Sequence, residues 1–126
     1  MTNFLYNKLE EFKKEFKKLQ KKYPSLKDDL DIVKLAIERY PKGYGDNIIQ
    51  ISDLGKEVKI PIMKVRKFPC KSLKDNKSLR LVYAYKEDKK EIDLIELDLI
   101  EIYHKNIKEN HNIDRIKKYY GNNLNK

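Results

Sequence analysis

Apolar residues recur every three or four positions in two stretches near the start of the chain. This spacing places one apolar stripe along an amphipathic helix. The sequence therefore predicts a helix over residues 5–23, ended by Pro24, and a second over residues 26–40, ended by Pro41. Joined by a tight turn, the two form an antiparallel hairpin. The stripes are Leu5, Leu9, Phe12, Phe16, Leu19 and Tyr23 in the first helix, and Leu26, Leu30, Val33, Ile37 and Tyr40 in the second.

After Pro41 the pattern changes to short runs that are rich in β-branched and aromatic residues. Such runs predict strands at residues 59–68, 79–85 and 92–103, with a short strand inside a glycine-containing loop at 47–51. Residues 69–77 are predicted to be a polar connection and residues 87–90 a hairpin turn. Alternation in the last strand slips at Leu94-Ile95 and again at Leu99-Ile100, which predicts a β-bulge.

A short final helix is predicted over residues 112–120, capped by Asn112 and ended by Gly121. Its inward positions are Ile113, Ile116 and Tyr120. The order helix, helix, three antiparallel strands, helix predicts one α+β domain over residues 1–126, with the helices on one face of the sheet. Because an antiparallel sheet can keep its second face in water, that face is expected to be an open platform.

The chain carries 29 Lys+Arg against 20 Asp+Glu, a net charge of +9 over 126 residues. An excess of this size favours a polyphosphate, an anionic surface or an acidic protein as partner. A lysine-rich composition inherited from an AT-rich genome explains the charge equally well. The single cysteine, Cys70, excludes a disulfide framework or a zinc cluster within the chain. With no membrane-length apolar run and no signal-peptide pattern, we expect a cytoplasmic protein without membrane partners.

Cationic and proton-transferring residues fall on the three predicted strands. Lys64 and Arg66 lie two apart and therefore point the same way, and Arg80 opens the next strand. Converging on one face, they suit RNA cleavage without a metal or other cofactor. Arginine forks hold phosphoryl oxygens, a lysine among cations has a lowered pKa and can act as a base, and a tyrosine or histidine can exchange a proton. The candidate catalytic residues are Lys64, Arg66, Arg80, Tyr103, His104 and Lys105.

Each candidate also has a simpler structural interpretation. Cations on a solvated strand face are ordinary, and Arg80 is as well placed to pair with Glu91 or Glu101. Tyr103 is of a type more often found in the core or at a sheet edge, and His111 is expected to be exposed in a polar turn. The acidic residues of the last strand do not predict a metal site, because the slips scatter them over both faces. These residues are Asp93, Glu96, Asp98 and Glu101.

Four segments, in order, resemble the RelE/ParE superfamily of toxins from toxin–antitoxin systems. FKKEFKKLQKKYPSLKDDL at 12–30 resembles their helical hairpin, and MKVRKF at 63–68 their first long strand. LRLVYAY at 79–85 is similar to their most recognisable strand, and IEIYHK at 100–105 with KEN at 108–110 to the final strand and its exit. Two departures are Ser78, where a glycine is common, and the apparent lack of a strand before the helices. A third is an unusually long last strand.

The resemblance implies a helical hairpin on a curved, three- to four-stranded antiparallel sheet, and a cognate antitoxin that wraps the toxin and blocks its site. RelE-like members are endoribonucleases that cut mRNA in the ribosomal A site. Carried over by position, Lys64, Arg66 and Arg80 match their basic strand residues, and Tyr103, His104 or Lys105 falls near their terminal group. The lysines expected to contact RNA or the ribosome are Lys13, Lys17, Lys18, Lys21 and Lys67.

Two alternatives remain open at this stage. ParE-like chains share the fold but bind DNA gyrase and cleave nothing, so they need no catalytic basic set. A toxin-fold protein without activity, acting as a binding module, is the other. The basic residues on the strands favour the nuclease.

Overall fold

The structure of the protein is a computed structural model that describes residues 2–87 and 93–121. The chain begins with a strand, β1 (Asn3–Lys8), followed by two helices, α1 (Glu10–Lys22) and α2 (Leu26–Arg39). Four strands and a last helix come next: β2 (Ile48–Gln50), β3 (Ile62–Cys70), β4 (Asp75–Glu87), β5 (Leu94–His104) and α3 (Ile113–Tyr120). The prediction of an α+β fold is confirmed. None of the described helices is long and apolar enough to cross a membrane.

The strands form one five-stranded sheet in the order β1-β5-β4-β3-β2. β1 runs parallel to β5, and the other neighbours are antiparallel. The expected three- to four-stranded antiparallel sheet is therefore wrong in strand count and in the direction of β1. Residues 5–8 were predicted as helix because Leu5 lies in step with the helical stripe. Instead, Phe4 and Tyr6 pack against the core while Leu5 remains 48% exposed, which is the alternation of a strand.

The first two helices cover one face of the sheet. Phe12 of α1 and Leu26, Leu30, Val33 and Ile37 of α2 are buried, as their spacing predicts. Tyr40, the last position of the predicted stripe, ends α2 and is 39% exposed. The sheet residues that pack against these helices include Val65, Phe68, Leu79, Leu81, Tyr83, Leu97 and Leu99.

The third helix packs on the opposite face, so the prediction that all helices share one face is wrong. Ile116 is fully buried against a second cluster that contains Val82, Ala84 and Ile100. The Asn112 cap is confirmed, because its side-chain oxygen accepts a hydrogen bond from the Arg115 backbone N–H at 3.0 Å. Ile113, predicted inward, is 40% exposed. The expected open platform is therefore partly covered.

A β-bulge in β5 decides which face its last residues present. Tyr83 lies opposite Leu99, but Val82 lies opposite Glu101, so Ile100 is an extra residue. The predicted slip at Leu99-Ile100 is confirmed. At Leu94-Ile95 the register runs without a break. Because of the bulge, Ile100 and Glu101 both face α3 while Ile102 returns to the core under α1 and α2.

The connection between β3 and β4 is shorter than the sequence predicts. Most of residues 69–77 belong to strands, and the turn comprises residues 71–74, with Lys74 in the left-handed region at φ 58°. Asp29 of α2 accepts hydrogen bonds from Ser25 Oγ and from the Lys71 N–H, which ties the start of α2 to this turn. Residues 88–90 of the other predicted turn lie outside the described residues.

Candidate functional site

Lys64 and Arg80 lie on the same side of the sheet as α3. Lys64 is directly opposite Val82 on β4, and Arg80 is directly opposite Tyr103 on β5. Directly opposed residues in antiparallel strands share a face. Val82 and Tyr103 belong to the core cluster beneath α3, so both cations emerge beside that cluster. Each is half-buried.

Arg66 completes a group of three cations, which we call the cationic cluster: Lys64, Arg66 and Arg80. Arg66 is exposed at the point where β3 breaks register with β4. The Arg80 Nη1 donates a hydrogen bond to the Arg66 backbone carbonyl at 2.5 Å, and the Arg66 Nη1 donates to the Asp46 carbonyl at 3.3 Å. The charges of Arg80 and Arg66 both lower the pKa of Lys64, so the three cations lie near one another.

The charge of the cationic cluster is not neutralised within the described residues. None of its three side chains has a carboxylate within ion-pair distance in residues 2–87 and 93–121. Burial, followed by the charges of Arg80 and Arg66, lowers the pKa of Lys64. Concentrated, unpaired positive charge of this kind is available to an anionic ligand.

Arg80 is also tied to the backbone. Its Nη1 donates to the carbonyls of Arg66 at 2.5 Å and Lys77 at 2.8 Å. These bonds fix the plane of the guanidinium, and all the bonds described for it leave from this one nitrogen. Glu101, one of the two acids offered as its salt-bridge partner, binds Lys108 instead, and Glu91 lies outside the described residues.

Tyr103 forms the floor of the cluster. It is 5% exposed, and the Nζ atoms of Lys64 and Lys108 lie 6.0 Å and 5.7 Å from its ring centroid. Contacts at this range are cation–π interactions. Burial, together with the charge of Glu101, raises the pKa of Tyr103 to about 12. The ring therefore supports the two lysines from below, which corresponds to the core-aromatic interpretation.

His104 and Lys105 do not join the cationic cluster. His104 lies opposite Leu79, whose side chain packs under α1 and α2, so it faces the other side of the sheet. Lys105 lies just after β5, where its backbone N–H donates to the Ser78 carbonyl at 2.9 Å. Among the described residues its side chain has no hydrogen bond or ion pair with the cluster. Of the three candidates at the end of β5, the structure brings Tyr103 alone to the cations.

His111 is the residue that the sequence interpretation missed. It is half-buried rather than exposed, and with Lys64 it lines a cavity of about 380 Å³ between β2, the loop after it and the start of α3. Its Nδ1 is buried and has no hydrogen-bond partner among the described residues. Burial, followed by the charge of Lys64, lowers the pKa of His111. No spacing rule links His111 to Lys64, because folding alone brings the two residues to one cavity.

A buried carboxylate holds the segment that carries His111. Glu101 is fully buried. Its carboxylate accepts one hydrogen bond from the Lys108 ammonium and another from the Asn112 backbone N–H at 2.8 Å. The two contacts bracket His111 on either side along the chain. Since a buried acid must be paired to be tolerated, this arrangement fixes the segment against β5.

The lysines predicted to contact RNA are all on the surface but are not equivalent. Lys13 pairs with Glu10 at 3.4 Å and Lys67 pairs with Asp46 at 3.2 Å, both in exposed positions. Exposed pairs of this kind are weak and are easily exchanged for another anion. Lys17, Lys18 and Lys21 are exposed along α1.

The acidic residues of β5 hold the fold together. Asp98 accepts hydrogen bonds from Asn7 Nδ2 and from the Tyr120 hydroxyl, both at 2.8 Å, and pairs with Lys86 at 3.1 Å. Within residues 2–87 and 93–121, no group of three or more His, Cys, Asp and Glu is arranged to hold a metal ion.

No family model, no curated protein and no solved structure matches this chain. The likeness to RelE/ParE toxins therefore rests on the four sequence segments that carry it.

Proposed function

We propose that this protein is a metal-independent endoribonuclease, the toxin of a toxin–antitoxin pair, that cuts mRNA on the ribosome as RelE-like toxins do. One observation carries the proposal. The cations Lys64, Arg66 and Arg80 have no carboxylate within ion-pair distance among the described residues, and they lie beside a cavity that Lys64 and His111 line together. The arrangement offers a grip for one phosphodiester next to a cavity that contains a neutral base.

In the proposed reaction, Arg66 and Arg80 hold the non-bridging oxygens of the scissile phosphate. The 2′-oxygen attacks phosphorus as its proton passes to the imidazole of His111. The bond from phosphorus to the 5′-oxygen breaks, and Lys64 Nζ donates a proton to that oxygen. The products are a 2′,3′-cyclic phosphate and a 5′-hydroxyl. Each proton-transfer group contributes about 10²–10⁴-fold, and one well-aimed donor to the phosphate about 3 kcal/mol.

The lowered pKa values of the two groups suit these roles. With its pKa lowered, His111 is neutral at neutral pH and can accept a proton. With its pKa lowered, Lys64 is a stronger acid than an exposed lysine and gives up its proton more readily. Tyr103, whose ring supports Lys64, positions that lysine.

The order of elements also supports a RelE-like assignment. The resemblance lacked a strand ahead of the helices, and β1 (Asn3–Lys8) occupies that place in the chain. We propose that α1 and α2 form the antiparallel hairpin of that family on a curved sheet. A cognate antitoxin would then inhibit the protein by covering the cationic cluster, and an acidic partner segment fits that surface best.

The test uses Arg66, because it is exposed and its removal leaves the core intact. Expression of the wild-type protein is expected to arrest growth and translation, and primer extension is expected to show cleaved mRNA. Arg66→Ala should lower cleavage about 10²-fold and relieve the arrest. Arg39→Ala, an equal change of charge at the exposed end of α2, is the matched control and should remain toxic.

Other results would reject the proposal. Blocked DNA replication with intact mRNA would identify a gyrase inhibitor instead. The absence of any growth effect from the wild-type protein would identify an inactive binding module. Equal cleavage by the Arg66→Ala and Arg39→Ala variants would remove the cationic cluster from the mechanism.

A further inference from the structure

A second concave surface lies next to the cationic cluster, between α1 and the end of β5. This groove, the α1–β5 groove, has a volume of about 570 Å³. It forms because β1 ends opposite Leu99, so the last residues of β5 have no strand beside them on that side. The lining residues are Glu15, Lys18, Leu19, Lys22, Ile102, Tyr103, His104, Ile107 and Lys108.

The groove combines apolar residues with a basic rim. Leu19, Ile102 and Ile107 are its apolar members, and Ile107 is 72% exposed. Three lysines line the same groove: Lys18, Lys22 and Lys108. An apolar surface beside several cations matches a nucleotide, which has a planar base and a phosphate.

Glu15, the acidic residue of the groove lining, does not neutralise the charge of the groove lysines. Glu15 receives two hydrogen bonds from the Arg115 guanidinium, at 2.7 Å and 3.0 Å, and so is already neutralised. Lys108 is likewise paired, with Glu101, so the positive charge that remains for a ligand is that of Lys18 and Lys22. An anion entering the groove meets lysine ammonium groups, which are strongly hydrated point charges suited to phosphate.

The free edge of β5 is closed to a peptide strand. The Ile102 backbone N–H donates to Glu15 at 3.3 Å, and the Ile100 carbonyl accepts from Arg115 at 2.9 Å. Strand addition requires those backbone groups to be unpaired. The groove therefore favours a nucleotide over an acidic protein segment that would bind as an extra strand.

Tyr103 and Lys108 lie between the groove and the cationic cluster. Lys108 lines the groove while its Nζ lies 5.7 Å from the Tyr103 ring centroid, and Lys64 Nζ lies 6.0 Å from the same centroid. A single strand whose scissile phosphate is held at Arg66 and Arg80 therefore has an adjoining basic surface to follow. The Tyr103 ring and Lys108 connect the two sites.

We infer that the α1–β5 groove binds the nucleotide next to the scissile phosphate of a single-stranded RNA, with the base on the apolar residues and the phosphate at Lys18 and Lys22. The inference rests on the proposed ribonuclease function and names a subsite for its substrate. It also separates Lys18 and Lys22 from the other exposed lysines of α1, because these two line the groove.

The first experiment measures binding of a short, fluorescent 2′-O-methyl RNA, which cannot be cleaved, by anisotropy at low salt. Lys18→Glu/Lys22→Glu should weaken binding about 10- to 100-fold, because counter-ion release is lost at the site of contact. The control is Lys14→Glu/Lys27→Glu, the same change of charge at exposed residues outside the groove lining. It should weaken binding about two- to threefold through net charge alone. Equal loss in both double variants would overturn the inference.

The second experiment tests the base. Replacing single nucleotides of the same RNA by abasic residues should reduce affinity about tenfold at one position, because one base loses its apolar contact. The Ile107→Ala variant should be insensitive to that replacement, and since Ile107 is exposed the fold should not change. If no position matters, or if an acidic peptide displaces the RNA while abasic RNA binds normally, the groove is a protein-docking surface and the inference fails.

The two proposals can fail separately. RNA cleavage that is the same in Lys18→Glu/Lys22→Glu and in its control would leave the nuclease standing without this subsite. Base-dependent binding in the groove, with no cleavage by the wild-type protein, would retain the RNA subsite and reject the nuclease.

Discussion

At the scale of single residues, the proposed chemistry depends on how two neighbouring side chains are protonated. His111 and Lys64 line one cavity, and the pKa of each is lowered by burial and by nearby positive charge. Both groups are half-buried. Their ionisation is therefore set by folding and differs from that of exposed side chains.

We expect the cleavage rate to follow a bell-shaped pH profile. Neutral His111 is required as base, and because its pKa is lowered, activity should persist below the ordinary histidine value of about 6.5 and fall only in more acidic solution. Protonated Lys64 is required as acid, so activity should fall on the alkaline side before an exposed lysine would lose its proton. The measurement is kcat/KM on a short RNA across pH.

His111→Gln is the matched variant for this profile. It should lower the rate about 10²–10⁴-fold and remove the acidic limb, because the group that titrates there is gone. An acidic limb that persists unchanged in this variant would assign the base to another residue.

At the scale of elements, the bulge in β5 matters most for the site. The extra residue, Ile100, turns Glu101 toward α3, where Glu101 holds Lys108 and the backbone of Asn112. The bulge thus links the strand to the segment that carries His111. Without it, alternation would direct the Glu101 side chain into the core under α1 and α2.

Glu101→Gln should therefore act at a distance on His111. The loss of a buried, charge-assisted contact is expected to lower the free energy of unfolding by about 1–3 kcal/mol, measured in urea. Since the charge of Glu101 raises the pKa of His111, its removal should move the acidic limb of the rate profile to lower pH. If the role of Glu101 is purely structural, the substitution should reduce stability and leave the acidic limb of the rate profile at the same pH.

At the scale of the whole molecule, an ion pair joins the two layers of helices around the edge of the sheet. Arg115 of α3 binds Glu15 of α1, 100 residues away in the chain, and both also bind the backbone of β5. The contact closes the edge that β1 leaves open. An unpaired edge is a template for association with another chain.

Arg115→Ala should destabilise the protein by about 1–3 kcal/mol, because it leaves Glu15 without its partner and frees a backbone carbonyl. It should also increase aggregation, measured by light scattering. The control is Lys118→Ala on the same helix, whose side chain is 68% exposed and pairs with Glu11 at 3.8 Å. That change should lower the free energy of unfolding by less than about 1 kcal/mol. A similar loss in both variants would contradict a special role for the edge contact.

How far the sequence predicts this protein differs from element to element. Helices α1 and α2, the strands β3 to β5, the Asn112 cap and the slip at Leu99-Ile100 follow from local spacing, because burial on one face imposes a period on the chain. The strand β1 was not predicted, because Leu5 fits the helical stripe and the strand alternation equally well. Parallel pairing with β5 then decided between them.

The sequence by itself determined the α+β order of elements, the positive charge, and the strands that carry Lys64, Arg66 and Arg80. The tertiary structure alone decided that α3 would cross to the second face, that His104 would point away from the cations, and that His111 would reach Lys64. The physical reason is the distance along the chain over which the interactions act. Periodicity records which side of one element is buried, whereas a site assembled from β3, β5 and the segment before α3 depends on pairing register and on contacts between distant parts of the chain.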